Sequence, residues 1–298
     1  MTTFRATSDR VEAPGGVGRT AVGMAWIRAR ESARPDRLFD DPYAQAFVDA
    51  AGGGSERMLG LGPAGTAPTG FTDLVSSHGV LRTRFFDDYV TGAAAGGHRQ
   101  IVLLAAGLDS RAQRLDWPAG TRLFEVDLPA MLAFKQAVLD RRRARARCER
   151  VAVPADLAGD WTTALAGAGF APDRATAWLA EGLLPYLDDA QADRLLTTVT
   201  GWSAPGSRLG FEYRTGDDAW LLDELRHHPE LAEFAALIHG GLAEPAQSWL
   251  PRHGWRITRD RLRTDLAAEA GRPSALPMAD GFLVAGREGA AREEGARA

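Results

Sequence analysis

Asp127 stands 20 residues beyond Gly107, and each closes an apolar run. The run QIVLLA (100–105) leads into AGLDSR, and RLFEVD (122–127) ends on the acid. A bend that admits close backbone approach, beside a carboxylate at the next strand tip, suits a ligand carrying a ribose. The carboxylate takes the two ribose hydroxyls. Glu125 shares a strand face with Asp127, but the tip position favours Asp127. PADL (154–157) brings Asp156 to the end of a third run, where its carboxylate can accept an exocyclic amine while Leu157 packs on a flat ring. LAEGLLPYL places Glu181 at the end of a fourth. A carboxylate in so apolar a stretch is costly unless it is paired or used.

One glycine in the loop is informative. Diphosphate cradles need several converging backbone N–H groups and so several glycines. With only Gly107, flanked by the small Ala105 and Ala106, a phosphate-free adenosyl ligand fits better than a dinucleotide. S-adenosylmethionine has that chemistry.

The elements that must hold these residues follow from the pattern. Apolar runs at 100–105, 122–127, 149–156, 175–182 and 207–213 alternate with helical stretches at 129–146, 158–168 and 188–203. Continuous apolar runs are strands covered on both faces, and this alternation predicts a parallel sheet with right-handed crossovers. Two further strands are expected at 254–260 and 281–287, and helices at 18–34, 71–95 and 217–239. Asp41 is expected to cap a helix with Pro42 at its first position. The organisation expected is a loose N-terminus (1–15) and one domain over 16–287. That domain divides into a helical cap (16–98), a core (99–213), an insertion (214–250) and C-terminal strands (251–287), and a disordered tail (288–298) follows.

The totals exclude other classes. The 298 residues carry a net charge of 35 − 39 = −4, which argues against a global field for nucleic acid. Cys148 is the lone cysteine, so an intrachain disulfide and a cysteine-rich zinc site are excluded. The start MTTFRATSDRVEAPGG lacks the apolar core of a secretory signal, and no apolar stretch reaches membrane-spanning length. A cytoplasmic setting is the expectation.

Seven segments in order, VGRTAVGMAWIRARES, LFDDPYA, RTRFFDDYV, LLAAGLDSRAQRLDWP, FEVDLPAMLAFK, PADL and AEGLLPYL, resemble the actinobacterial S-adenosylmethionine-dependent methyltransferases related to leucine carboxyl methyltransferase. The resemblance spans residues 15–287. It implies a Rossmann-like class I methyltransferase, a mostly parallel seven-stranded α/β sheet with an added N-terminal helical layer and a helical insertion after strand five. It also implies roles. Asp127 would hold the ribose, Asp156 and Leu157 would frame the adenine, and Ala105, Ala106 and Gly107 would pass the methionine part. Glu181 would receive the cofactor's amino group or order the site. Arg82, with Arg84 as the competing choice, would clamp its carboxylate, and Arg30 would supply a basic residue upstream of DPY. Ala105 replaces a glycine of the leucine carboxyl methyltransferases.

The reaction expected is displacement at a sulfonium methyl, which needs alignment and dehydration but no metal. The acceptor is a small molecule or peptide with a carboxylate or hydroxyl. No histidine is placed by the sequence to act as base, which favours a carboxylate or an acidic phenol. Tyr186, Tyr213 and the 214–250 insertion are the acceptor-side candidates, with 53–70 as a lid. Two rivals stand beside this reading: a nicotinamide oxidoreductase, which calls for more glycines, and an inactive cofactor-binding module. The bland readings are that Arg111 and Arg114 pair with nearby acids, that Cys148 is inert, that RRRARARCER (141–150) is a solvated helix end, and that adjacent His227 and His228 point apart and bind no metal. Trp220 and Trp249 are candidate pocket walls.

Overall fold

A computed structural model describes residues 15–52, 71–214, 229–272 and 280–289. Seven strands form one sheet: β1 (Gln100–Leu104), β2 (Arg122–Asp127), β3 (Glu149–Pro154), β4 (Thr176–Ala180), β5 (Arg208–Arg214), β6 (Trp255–Leu262) and β7 (Asp280–Arg287). Their order is β3-β2-β1-β4-β5-β7-β6. The first five pair in parallel, and β7 alone runs against its neighbours β5 and β6. The reversal puts the start of β7 at the rim where the parallel strands end, with Asp280 paired to Arg214. The expected mostly parallel seven-stranded sheet is present.

Alternation along β1 explains the layering. Ile101 and Leu103 face a layer built by α3 (Phe71–Ala95), α4 (Arg111–Arg114) and, later in the chain, α10 (Arg263–Glu269). Val102 and Leu104 face the opposite layer of α6 (Trp161–Gly167), α7 (Asp189–Gly201) and α9 (Ala246–Arg252). Both faces of β1 and β4 are buried along their whole length, which is why they read as unbroken apolar runs. A third cluster joins α1 (Gly18–Ser32) and α2 (Ala44–Ala51) to α5 (Pro129–Arg141) through Val22, Phe47, Leu108 and Phe134. This is the N-terminal helical layer, and it lies against the loop after β1. Of the expected helix at 217–239, the described part is α8 (Pro229–Ala236). No helix among the described residues is long and apolar enough to cross a membrane.

Several ends differ from expectation for local reasons. Strand β3 stops at Pro154 and β4 at Ala180, so Asp156 and Glu181 sit in the turns just beyond. Helix α6 starts at Trp161 because Asp160 caps it, accepting the Thr163 N–H at 3.1 Å. Helix α5 ends at Arg141, before Arg143 enters the left-handed region at φ 50°. Asp41 does not cap α2, whose N-cap is Tyr43. Its Oδ2 instead binds Arg28 Nε at 2.8 Å, and its Oδ1 takes the Tyr43 N–H. Trp220, His227, His228 and the 53–70 segment lie outside the described residues.

Candidate cofactor and acceptor site

A cavity of about 720 Å³ opens at the carboxyl rim of the parallel strands. That volume lies in the range of small-molecule sites. Its floor is the turn after β1. Gly107 has φ 50°, and a Cβ there would stand 3.3 Å from Ala21 Cβ on α1. Ala105 adopts φ 51° despite its side chain, a left-handed conformation that costs about 1–2 kcal/mol for a non-glycine residue. The position where the family resemblance implies a glycine is thus held in a glycine-type conformation. Asp127 fixes this turn: its Oδ2 accepts the Gly107 N–H at 2.6 Å, and its Oδ1 accepts the Leu128 N–H at 2.7 Å. Burial pushes the Asp127 carboxyl above its ordinary pKa, and the two N–H groups pull it partly back.

Asp156, Leu157, Ala106 and the exposed Leu128 line the same cavity. Asp156 is exposed and accepts the Ala158 N–H at 2.9 Å. Among the described residues, neither Asp127 nor Asp156 pairs with a guanidinium. The other cavity acids all do. Asp109 binds Arg111, and Asp280 binds Arg263 Nε at 2.9 Å. Glu181 receives Arg82 Nε at 3.2 Å and Arg111 Nη1 at 2.7 Å. Glu212 receives Arg82 Nη1 at 3.1 Å. Burial works to raise the Glu181 pKa, but the Arg111 and Arg82 charges outweigh it and hold the group below the usual carboxylate value. Gly182 follows at φ 65°, and a Cβ there would press on the Arg82 guanidinium at 3.1 Å.

Arg82 lines the cavity, whereas Arg84 lies on the exposed side of α3 against Asp88 and the Leu38 carbonyl. Arg30 is not in the cavity wall. It is exposed and lies over the Trp26 ring, 4.7 Å from its centre. Two helical residues amount to about 200° of rotation, so Arg30 and Arg28 face opposite ways. Arg28 is the inward residue, donating to Asp41 and to the Leu108 carbonyl at 2.7 Å. It shares its face with Ala21 and Met24, and that spacing is the signal for it. Trp249 is not a wall either. It is buried, donates to Asp193 and stacks on His253.

Tyr186 and Tyr213 both reach the cavity. Burial raises the Tyr186 phenol, with Thr20 and Arg82 opposing. Tyr213 donates to Asp260 Oδ1 at 2.5 Å, and burial with that carboxylate pushes its pKa far up, so its hydroxyl is already committed. Arg111 is more than a bland partner: it lines the cavity while bridging Asp87, Asp109 and Glu181. Behind Asp127, the buried Glu125 meets Lys135 at 2.8 Å and Arg150 at 2.7 Å.

A rim cavity on a sheet ordered 3-2-1-4-5-7-6, with one reversed strand, defines the class I methyltransferase fold. The leucine carboxyl methyltransferase family model matches residues 21–200, and the chain belongs to that family. A Frankia alni protein named as an S-adenosyl-L-methionine-dependent methyltransferase is 68% identical over 285 residues, covering 96% of this chain and 99% of its own. A Parafrankia relative with the same designation is 52% identical over 276 residues, covering 91% and 87%. A crystal structure of a DUF574 family protein from Streptomyces avermitilis superposes with a TM-score of 0.56 at 14% identity, over 90% of this chain and 97% of that one, a likeness of fold.

Proposed function

We propose that this chain transfers the methyl group of S-adenosyl-L-methionine to an oxygen of a small-molecule or peptide acceptor. One contrast carries the reading. Among the described residues, the acids of the cavity are ion-paired except Asp127 and Asp156, the two at the tips of β2 and β3. Asp127 is half-buried and Asp156 is exposed to the cavity; with no cation on either, the hydroxyls and the amine of one neutral ligand would satisfy both. Asp127 keeps lone pairs for the ribose hydroxyls, and Asp156 accepts the adenine amine between Leu157 and Leu128. The residues present fit the group: Gly107 admits close backbone approach without a phosphate cradle, and the loop N–H nearest the acid is already taken by Asp127. Ala105 to Gly107 pass the methionine part. Arg82 offers Nη2, engaged by neither glutamate, to the carboxylate, and Glu181 faces the ammonium.

When bound, the cofactor supplies a methyl carbon made electrophilic by the neighbouring sulfonium. The chain's task is then to orient the acceptor and exclude water. Tyr186 and Tyr213 contribute as walls of the acceptor side.

Calorimetric titration with S-adenosylhomocysteine tests the reading. Asp127→Asn keeps one backbone acceptor but loses charge-assisted bonds worth about 1.5–3 kcal/mol, so affinity should fall roughly 10- to 150-fold. Affinity within twofold of wild type removes the ribose assignment. Binding of reduced nicotinamide dinucleotide in place of S-adenosylhomocysteine overturns the whole reading.

A further inference from the structure

The far end of the cavity from Asp127 contains a histidine that sequence spacing alone does not single out. Leu74, His78 and Arg82 recur every four residues on α3 and line the cavity together. Across from them, β5 ends in Glu212, Tyr213 and Arg214, and β7 begins with Asp280. His78 Nδ1 lies 2.8 Å from Asp280 Oδ2. Asp280 is buried and held in turn by the buried Arg263 Nε at 2.9 Å and 3.0 Å. The His78 ring also lies 5.4 Å, centre to centre, from Phe282 on β7, which limits its rotation.

The tautomer follows from these contacts. Burial acts to raise the Asp280 carboxyl, but His78 and Arg263 hold it below the ordinary value, so it is ionised near neutral pH and can only accept. Nδ1 must then carry the proton, and Nε2 of the neutral ring holds the lone pair. Arg82, Glu212, Tyr213 and Arg214 are the other charged and titratable groups on this side of the cavity; Arg82, Glu212 and Tyr213 are each bonded to another partner. His78 therefore has an orienting carboxylate at Nδ1 and stands in the cavity wall.

We propose that His78 is the general base for a hydroxyl acceptor, with Asp280 as its positioning residue. This rests on the methyltransferase reading and deepens it, because a carboxylate acceptor is already ionised and needs no base. The proton of the acceptor hydroxyl passes to Nε2. The electron pair left on oxygen forms the new O–C bond to the methyl carbon, while the pair of the breaking C–S bond stays on sulfur as the neutral thioether. The imidazolium then returns its proton to solvent. The substrate class is an alcohol or weakly acidic phenol.

The test uses the full chain with S-adenosylhomocysteine and three readouts. Histidine 15N NMR, with His78 assigned by its loss in His78→Gln, should show Nδ1 protonated and Nε2 unprotonated in the neutral ring, and Asp280→Asn should scramble that preference. Diethyl pyrocarbonate, followed by mass spectrometry, should modify His78 with S-adenosylhomocysteine bound. The opposite tautomer, or an unreactive His78, overturns the proposal without any turnover being measured. Labelled S-adenosylmethionine with 4-methylphenol, 4-nitrophenolate and benzoate as probes supplies the third. His78→Gln should lose about a hundredfold or more in kcat on 4-methylphenol, with KM held, and much less on the ionised 4-nitrophenolate. Methylation of benzoate alone overturns it. Failure of S-adenosylhomocysteine to bind wild type sinks the parent reading instead, whereas binding with an inert His78 sinks only this one.

Discussion

Arg111→Met removes the cation that ties three acids together and replaces it with an apolar chain of similar reach. Arg111 is buried and contacts Asp87 at 2.7 Å, Glu181 at 2.7 Å and Asp109. The loss is uneven. Asp87 keeps two bonds from Arg114 at 2.6 Å, and Glu181 keeps Arg82. Asp109 loses its guanidinium outright. Burial opposes its ionisation, yet Arg111 and the more distant Lys135 and Arg114 bring it from 3.8 to about 2. At 1.36 kcal/mol per pKa unit, that depression corresponds to about 2 kcal/mol of stability. Adding the weakened Glu181 and Asp87 pairs gives about 3–5 kcal/mol, the usual cost of breaking a buried pair, or roughly 5–8 °C in Tm for a chain of 298 residues. The pH dependence supplies the sharper check. In wild type, the Asp109 contribution is present above about 3.8 and is lost as pH falls towards about 2. In the variant, burial acts unopposed by Arg111 and raises the Asp109 pKa, so acidification from pH 7.5 to 4.5 relieves the penalty. The gap between the two proteins in urea melts should therefore shrink over that range. A gap below about 1 kcal/mol, or one that does not change with pH, would refute the account.

Two further outcomes follow from single positions. Gly182→Ala adds a Cβ at φ 65° and 3.1 Å from the Arg82 guanidinium; strain and displacement of Arg82 should cost about 2 kcal/mol, read as a lower urea midpoint, and a neutral variant would contradict the packing. Cys148 has its thiol pushed up to about 12 by burial and by Glu125, so its labelling by a disulfide reagent should keep accelerating with pH through pH 10, where an ordinary thiol has levelled off; a plateau by pH 9 would count against it.

The sheet and the acids at its strand tips are legible in the sequence because buried parallel strands write themselves as unbroken apolar runs. An acid that closes such a run has one place to be. The helices are harder. Arg30 and Arg28 belong to one pattern of basic residues, and only the face shared with Ala21 and Met24 tells which turns inward. Arg82 and Arg84 differ in the same way: only Arg82 lies on the side of α3 that meets the rim. Pairs between distant segments leave no local trace at all. His78 meets Asp280 across 202 residues, and Tyr213 meets Asp260 across 47. A phenol that looks available from its position is tied to a carboxylate, and a histidine that looks idle is held by one.

Helix α3 enters the sheet as a wedge of two characters. Its later turns are locked: Tyr89 donates to the Trp178 carbonyl at 3.0 Å, and any side chain at Gly210 would strike the Tyr89 ring at 2.8 Å. Its earlier turns carry Leu74, His78 and Arg82 to the cavity wall. Anchored at one end and bordering the cavity at the other, the same rod would let a substitution at Leu74 reshape the cavity wall while the seam around Tyr89 keeps the helix in place.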